Sequence, residues 1–268
     1  MTLPTTETLN LNQDGPVLHI TLNRPQSRNA MSLTMVNELM AVFEAVKDDT
    51  AVRAIVLRGA GGHFCAGGDI KDMAGARQKA AEGNSDAYVS LNRRFGEMIT
   101  AANQQPQVII TVLEGAVLGG GFGLACISDV AIAHTDATFG LPETGLGVIP
   151  AQIAPFVVER IGLTQARRLA LTGIRFKGEE ALRLGIVHEV AADDAGLLAS
   201  LENTLRAVRR CAPNANRVTK ALVLKVGHEP MNTLLDQAAL DFAAAVNGNE
   251  GQEGTMAFVQ KRPASWNN

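Results

Sequence analysis

Apolar runs of strand length alternate with glycine-marked polar turns over the first two thirds of the chain. The run VLHITL at Val17–Leu22 is rich in β-branched residues, and Pro25 follows it and cannot continue a strand ladder. The run AIVLRG at Ala54–Gly59 is apolar enough to be buried on both faces of a sheet. Similar runs predict further strands at 107–115, 129–133, 137–140 and 187–190.

Helical spacing separates these strands and then replaces them. Ser32 is placed to cap a helix whose apolar residues, from Val36 to Val46, recur every three or four positions. Helical periodicity returns at Leu163 and runs to Gly185, a C-terminal glycine cap. From about residue 194 it is the only pattern left, with helices predicted at 198–211, 215–226, 232–246 and 255–261. The pattern therefore predicts an α/β core over residues 1–193 and a C-terminal helical region over residues 194–268.

The segment 74–86 fits neither pattern well. It is polar and alanine-rich and has little to bury, so we expect a mobile loop or a loose helix. Whether it closes over a ligand is left open by the sequence.

Composition narrows the class of protein. The 268 residues are 46% hydrophobic and 19% charged, which is typical of a globular protein with a sizeable core. A formal net charge of −3 gives no basic field for nucleic acid or an anionic membrane, and no apolar run has the length of a membrane span. The N-terminal residues lack the cationic and apolar regions of a secretion signal. Cys65, Cys126 and Cys211 show no metal-ligand or CxxC spacing, so we expect reduced thiols and a cytoplasmic protein.

The stretch GAVLGGGFGLACISD contains the strongest chemical signal. Each glycine in such a segment costs about 1 kcal/mol against alanine, so the run needs a physical reason. Tight packing of a helix on the sheet is one reading, but three adjacent glycines exceed what packing requires. A second interpretation is a dinucleotide-binding fingerprint. Cys126 stands where that fingerprint requires Gly or Ala, and two strands precede the run although the fingerprint belongs in an early βαβ unit.

An anion hole is the third reading of these glycines. If Gly120 offers its amide at a helix N-terminus, a negatively charged oxygen can approach it, and a side chain there would block the approach. A second donor is expected from another strand-to-helix turn. Gly67 and Gly68, in HFCAGGDIK, follow the strand at Ala54–Gly59 in the same manner.

With these two turns the sequence resembles the crotonase, or enoyl-CoA hydratase/isomerase, superfamily over nearly its whole length. The matching pieces are NRPQSRNAM, GGHFCAGGDIK, GAVLGGGFGLACISDVAIAHTDATFGLPETGLGVIP, LTG with GEEALRLGIVHEV, and EGTMAFVQKRPASW. The resemblance implies an α/β spiral of ββα units with a C-terminal helical region that assembles trimers or dimers of trimers. It also implies an acyl-CoA thioester whose oxygen lies between the amides of Gly68 and Gly120, and neither a metal nor a separate cofactor.

The resemblance also identifies the acid/base group. Hydratases of this superfamily generally carry two glutamates, one just after the glycine run and one in a later PE motif. Here the first position is Gly123 and the second is Glu143, in FGLPETGLG. Glu143 is therefore the expected catalytic acid/base, and Gly123 lies where a substrate with its own carboxylate would compensate for the missing glutamate.

The segment GVIPAQIAPFVVERIG indicates which members of the family the chain resembles most. Together with ARR and LTG it looks like bacterial hydratases that act on branched, carboxylated enoyl-CoAs, of the methylglutaconyl-CoA type in leucine breakdown or the isohexenylglutaconyl-CoA type in acyclic terpene breakdown. We favour the terpene type. A Δ3,Δ2-enoyl-CoA isomerase, which needs one carboxylate, is the alternative. A non-catalytic acyl-CoA binder is the third possibility.

The coenzyme contacts are also implied by resemblance. The backbone around Arg28 and Ala30 is expected to run along the pantetheine and adenine, and Arg28 and Lys71 are candidates to meet phosphates. The other positions expected to contact the substrate are Ala66, Asp69, Ile70, Phe258 and Lys261, the last two sometimes from a neighbouring subunit. Asp69 has a second reading as the N-cap of the following helix.

Overall fold

A six-stranded sheet forms the centre of the computed structural model, which describes residues 2–267. The strands are β1 (Leu9–Asp14), β2 (Val17–Leu22), β3 (Ala54–Gly59), β4 (Val108–Leu113), β5 (Ala116–Leu118), β6 (Val130–His134), β7 (Thr138–Gly140) and β8 (Glu189–Ala191). The large sheet has the order β1-β2-β3-β4-β6-β8 and is parallel except for the β1–β2 pair. Strands β5 and β7 pair separately and in parallel.

Helices cover both faces of the sheet and form the end of the chain. They are α1 (Leu33–Val46), α2 (Ile70–Ala81), α3 (Ala87–Asn103), α4 (Gly120–Ile127), α5 (Ala154–Thr172), α6 (Gly178–Arg183), α7 (Asp194–Arg210), α8 (Pro213–Leu224), α9 (Met231–Asn247) and α10 (Asn249–Val259). The predicted α/β fold with C-terminal helices is confirmed.

Strand β3 is buried on both faces, as its apolar run predicts. Ile55 and Leu57 belong to the larger core, which includes buried residues of α1, α3 and α4. Ala54 and Val56 belong to a second core on the opposite face. Leu197, Leu201 and Leu205 of α7 share that second core, at the four-residue spacing of one helix face. Helix α7 therefore covers the sheet, although it lies beyond the predicted boundary at residue 193.

The last three helices bury little of themselves within one chain. No residue of α8 is buried, and the buried residues of α9 and α10 are Leu234 and Ala257. Lys220 of α8 is tied to the core by an ion pair with Asp129 at 2.6 Å. Large apolar side chains on these helices stay exposed, among them Phe242, which is 71% exposed.

Several elements differ from the sequence-based expectation. Helix α3 has no counterpart among the predicted elements, and α5 begins at Ala154, ahead of the predicted start at Leu163. Of the two forms expected for the segment 74–86, the structure has the helix over its first part, as the end of α2, and Asp69 caps that helix through the Lys71 amide. Strand β1 is polar and pairs at the sheet edge, so its pattern carries little strand signal. Strand β5 is only three residues long and escapes a periodicity test.

Candidate active site

Three parallel chain segments end side by side at one edge of the small sheet. Cys65 bridges Val117 of β5, and Val117 pairs with Phe139 of β7. Because the register is parallel, the residues that follow these three positions emerge at the same edge. Three residues beyond Cys65 and Val117 are Gly68 and Gly120, and four beyond Phe139 is Glu143. The pairing therefore brings the three predicted catalytic positions to one place.

The two glycine turns are in direct contact. Leu118 donates its amide to the Cys65 carbonyl at 2.9 Å, and Gly119 donates to the Gly140 carbonyl at 3.1 Å. A Cβ placed on Gly119 would lie 3.4 Å from the Gly67 Cα. Gly119 has φ +50° and ψ −115°, which a residue with a side chain rarely adopts. Only glycine satisfies both the conformation and the close approach.

The amides of Gly68 and Gly120 are left without an acceptor inside residues 2–267. Gly120 is the first residue of α4, where an N–H has no carbonyl partner within the helix and forms part of the positive end of the helix dipole. Gly68 lies between Gly67, whose carbonyl accepts from Met31, and Asp69, whose amide donates to Met31. Gly68 is exposed, with open space where its Cβ would be. Two unpaired donors in adjacent turns suit an anionic oxygen.

The Glu143 carboxylate lies against the same turn. Its Oε1 is 2.8 Å from the position of a Cβ on Gly119, and its buried Oε2 has no hydrogen-bond partner among the described residues. Burial raises the pKa of Glu143, which favours its protonated form. An unpartnered carboxylate with a raised pKa beside two free amides is an arrangement suited to proton transfer.

Gly123 is enclosed by apolar side chains. A Cβ on Gly123 would lie 2.5 Å from Ile153 Cγ2 and 2.9 Å from Ile99 Cδ1. Ile99 and Ile153 are themselves buried. A glutamate therefore has no room at this position unless Ile153 moves. Enclosure by two isoleucines also leaves Gly123 itself no open face toward a ligand, contrary to its expected role as a substrate contact.

Helix α3 lies over the second glycine turn. The Phe95 ring is 3.1 Å from the position of a Cβ on Gly120. Gly96 follows Phe95 in α3, and a Cβ on Gly96 would contact both the Gln152 side chain and the Arg93 guanidinium. Arg93 Nη1 donates to Gln152 Oε1 at 3.2 Å and has no carboxylate partner within residues 2–267. Gln152 precedes Ile153, which packs on Gly123, so this exposed cation is joined to the segment that fills the space beside Gly123.

The expected coenzyme contacts near the first turn form one strip. Ala66 donates its amide to the Arg28 carbonyl at 3.0 Å, which joins the two segments beside Gly68. Arg28 and Lys71 are both exposed, and Ile70 is 80% exposed. Ala30 lies in the same loop and is half-buried. The strip therefore offers backbone edges, an apolar side chain and two free cations.

Asp69 is the N-cap of α2, which is the second of the two roles expected for it. It is 7% exposed, and its Oδ1 accepts from the Lys71 amide at 2.8 Å as the N-cap of α2. Its Oδ2 pairs with Arg24 Nη2 at 2.6 Å. Although desolvation opposes it, the Lys71 amide and the Arg24 guanidinium lower the pKa of Asp69. Arg24 is a residue of this neighbourhood that the sequence reading did not identify.

Phe258 and Lys261 lie away from this cluster within one chain. They stand at the end of α10, whose main contacts are with α9, and Phe258 is 85% exposed. A role at the coenzyme would therefore require a neighbouring subunit, and it stays a prediction.

The remaining reactive groups give no second site. Cys65 and Cys126 are free and buried, and burial raises the pKa of Cys65 to about 11 and of Cys126 to about 12. Within residues 2–267, no cluster of three or more His, Cys, Asp or Glu side chains is arranged to hold a metal ion. None of the helices in that range combines the length and apolarity needed to cross a bilayer.

Comparison with known proteins identifies a family and several similar structures. A family model described as enoyl-CoA hydratase/isomerase matches residues 12–268. The structure of Pseudomonas aeruginosa AtuE is 65% identical with a TM-score of 0.95, over 98% of this chain and 100% of that one. An enoyl-CoA hydratase/isomerase structure from Marinobacter aquaeolei is 62% identical with a TM-score of 0.94, over 97% and 99% of the two chains. The mevalonyl-coenzyme A hydratase sidH of Aspergillus fumigatus is 32% identical, over 93% of this chain and 91% of its own.

Proposed function

Because the chain belongs to the enoyl-CoA hydratase/isomerase family, we propose that it is a hydratase for a branched, carboxylated 2-enoyl-CoA of the isohexenylglutaconyl-CoA or methylglutaconyl-CoA type. The family is enzymatic and acts on acyl-CoA thioesters. The observation that carries the proposal is the meeting of the Gly68 and Gly120 turns with the Glu143 carboxylate at one sheet edge.

The two amides supply the electrostatic part of the reaction. Addition to the β carbon of an enoyl thioester moves negative charge onto the thioester oxygen. Preset amides that receive this charge stabilise the transition state, and loss of one such donor costs about 3–4 kcal/mol. The helix α4 dipole adds to the effect at Gly120.

Glu143 moves the proton. As a carboxylate it accepts a proton from water while the hydroxyl oxygen bonds to the β carbon and the C=C electrons move to the thioester oxygen. As an acid it then returns that proton to the α carbon, and the C=O bond forms again. Burial raises the pKa of Glu143, so the protonated form that must deliver the proton in the second step is less unfavourable than for an exposed carboxyl.

The absence of a second carboxylate at Gly123 favours a substrate that brings its own. Ile99 and Ile153 fill the space that a glutamate would need. Arg93 is a candidate to bind a distal carboxylate, because its guanidinium has no anionic partner among the described residues and binds Gln152, the neighbour of the Ile153 that packs on Gly123. The relative from Aspergillus fumigatus, named for mevalonyl-coenzyme A, acts by its name on an acyl-CoA as a hydratase.

Arg93→Gln tests the carboxylate preference, with Arg94→Gln as its control. Arg94 is the adjacent arginine, but it already pairs with Glu97 at 2.9 Å. We expect Arg93→Gln to raise KM for a glutaconyl-type CoA about tenfold and to leave crotonyl-CoA turnover unchanged. Equal KM values in both variants would remove the assignment of Arg93 without affecting the hydratase assignment.

A Δ3,Δ2-enoyl-CoA isomerase is the second candidate, and the single carboxylate favours it. Glu143 would take a proton from the α carbon and return it to the γ carbon. Product analysis with crotonyl-, methylglutaconyl-, isohexenylglutaconyl- and 3-enoyl-CoA separates the two. A product heavier by one water indicates hydration, whereas a shifted double bond at unchanged mass indicates isomerisation.

The exposed C-terminal faces support a homo-oligomer. Helices α8, α9 and α10 together bury only Leu234 and Ala257, while Leu235, Leu240 and Phe242 stay exposed. Apolar faces of this extent are normally covered by a partner. We propose that other copies of the chain cover them, as a trimer or a dimer of trimers, and that a neighbouring α10 brings Phe258 or Lys261 to the coenzyme.

A further inference from the structure

A nearly buried ion pair lies directly beside one of the two proposed oxyanion donors. Arg24 Nη2 and Asp69 Oδ2 are 2.6 Å apart, with side-chain exposures of 17% and 8%. Asp69 is the residue next to Gly68. The ion pair therefore belongs to the turn that presents the Gly68 amide, although neither side chain needs to touch the substrate.

The loop around Arg24 is fixed from several sides. Arg24 Nη1 donates to the Ala30 carbonyl at 2.5 Å. Asn29 is fully buried with a φ of +55°, and its Oδ1 accepts from the Arg24 amide at 2.8 Å. Asn29 Nδ2 donates to the carbonyls of Ala60 at 2.9 Å and His63 at 2.6 Å. The Arg24 backbone is thus fixed by Asn29, and one nitrogen of its guanidinium is held by the Ala30 carbonyl independently of Asp69.

The charge of Asp69 is unfavourable for the reaction if it is left alone. Negative charge develops on the thioester oxygen at the Gly68 amide, one residue from the carboxylate. Two like charges at such a distance repel strongly where little water screens them. Asp69 is nevertheless useful to the fold, because it caps α2 through the Lys71 amide. A cation that cancels its charge lets one residue serve as a cap without opposing the enolate.

We propose that Arg24 is a positioning residue that neutralises Asp69 and so protects the electrostatic potential at the Gly68 amide. This rests on the proposed function, because it requires a thioester oxygen at that amide. It differs from a purely structural ion pair in one consequence. Removal of the Asp69 charge should restore what removal of Arg24 takes away.

The test compares Arg24→Met, Asp69→Asn and the double variant in steady-state kinetics. Asparagine keeps the cap oxygen and loses the charge. We expect Arg24→Met to lower kcat on the order of 10- to 100-fold with a small change in KM. The double variant is expected to be no more than about threefold slower than Asp69→Asn alone, because without the Asp69 charge Arg24 has nothing to neutralise. A double variant as slow as Arg24→Met, or slower, would overturn the proposal.

A spectroscopic measurement covers the case in which the variants lose stability. A conjugated aryl-acryloyl-CoA absorbs at longer wavelength when its carbonyl is polarised. This shift arises only from ligand that is bound to folded protein. The shift should shrink in Arg24→Met and return in the double variant. An equal shift in the wild type and in Arg24→Met would refute the proposed role of Arg24 but leave the oxyanion site in place. No shift in the wild type would instead refute the oxyanion site, and with it the proposed function.

Discussion

Replacing Glu143 with glutamine should remove activity and stabilise the fold at the same time. The carboxylate is half-buried, its Oε2 has no partner among the described residues, and burial raises its pKa. The protonated Glu143 side chain fits its buried site better than the carboxylate does. Its contribution to the free energy of unfolding is therefore complete below the pKa of the unfolded chain, near 4.5. That stabilisation is lost as pH rises through the higher folded value. Glutamine never ionises, so its advantage over glutamate should grow with pH across that interval and then level off.

The size of both effects follows from the environment of Glu143. An unsatisfied buried polar group costs about 1–3 kcal/mol, and partial exposure and the polar amide of glutamine reduce the net gain to about 1 kcal/mol. In a chain of this size that corresponds to a rise in Tm of about 2–4 °C near neutral pH. The loss of general acid–base catalysis should lower kcat about 10²- to 10⁴-fold. In the wild type, kcat for hydration should fall as pH drops through the raised pKa of Glu143.

The assay is thermal unfolding and kcat across pH, with wild type, Glu143→Gln and Glu179→Gln at one protein concentration. Equal concentration matters because assembly shifts Tm. Glu179 is exposed at the start of α6, so its variant should match the wild type in both measurements. The reasoning is refuted if Glu143→Gln keeps more than a tenth of the activity. It is also refuted if its Tm difference from the wild type is zero, negative or independent of pH.

Three further predictions concern the turn at Gly119, the space at Gly123 and the exposed face of α9. Gly119→Ala should lower kcat at least 100-fold, because its Cβ would lie 2.8 Å from the carboxylate oxygen. As a control, Gly15 has a similar φ of +52° with open space around it, so Gly15→Ala should lose about 1–2 kcal/mol of stability and keep full activity. Gly123→Glu should destabilise the protein by at least 2 kcal/mol, whereas adding Ile153→Ala should recover stability and raise crotonyl-CoA hydration, as a denaturation curve and a rate assay would show. Phe242→Asp should reduce the oligomer measured by light scattering, and an unchanged mass would exclude this residue from the interface.

The sequence predicts the central strands and the helix caps because their signals are local. Ala54–Gly59 is an apolar run, and burial on both faces follows from it directly. Ser32 accepts from the Met35 amide as its position before the apolar pattern predicts. The expectation that the two glycine turns are neighbours comes instead from the family resemblance, and the bridge between Cys65 and Val117 brings the two turns together.

The features that the sequence does not predict depend on contacts between distant segments. The space at Gly123 is decided by Ile99 and Ile153, which no local pattern relates to it. The role of Arg24 depends on a partner, Asp69, that lies 45 positions along the chain. The long apolar faces of α8 to α10 read as ordinary amphipathic helices, and only the fold reveals that one chain leaves them uncovered.

A crystal structure with a saturated, unreactive acyl-CoA would test the central claim most directly. The account predicts a thioester oxygen about 2.7–3.1 Å from the amide nitrogens of both Gly68 and Gly120, with the Glu143 carboxylate facing the α and β carbons. A carbonyl bound elsewhere, or held by only one of these amides, would contradict it.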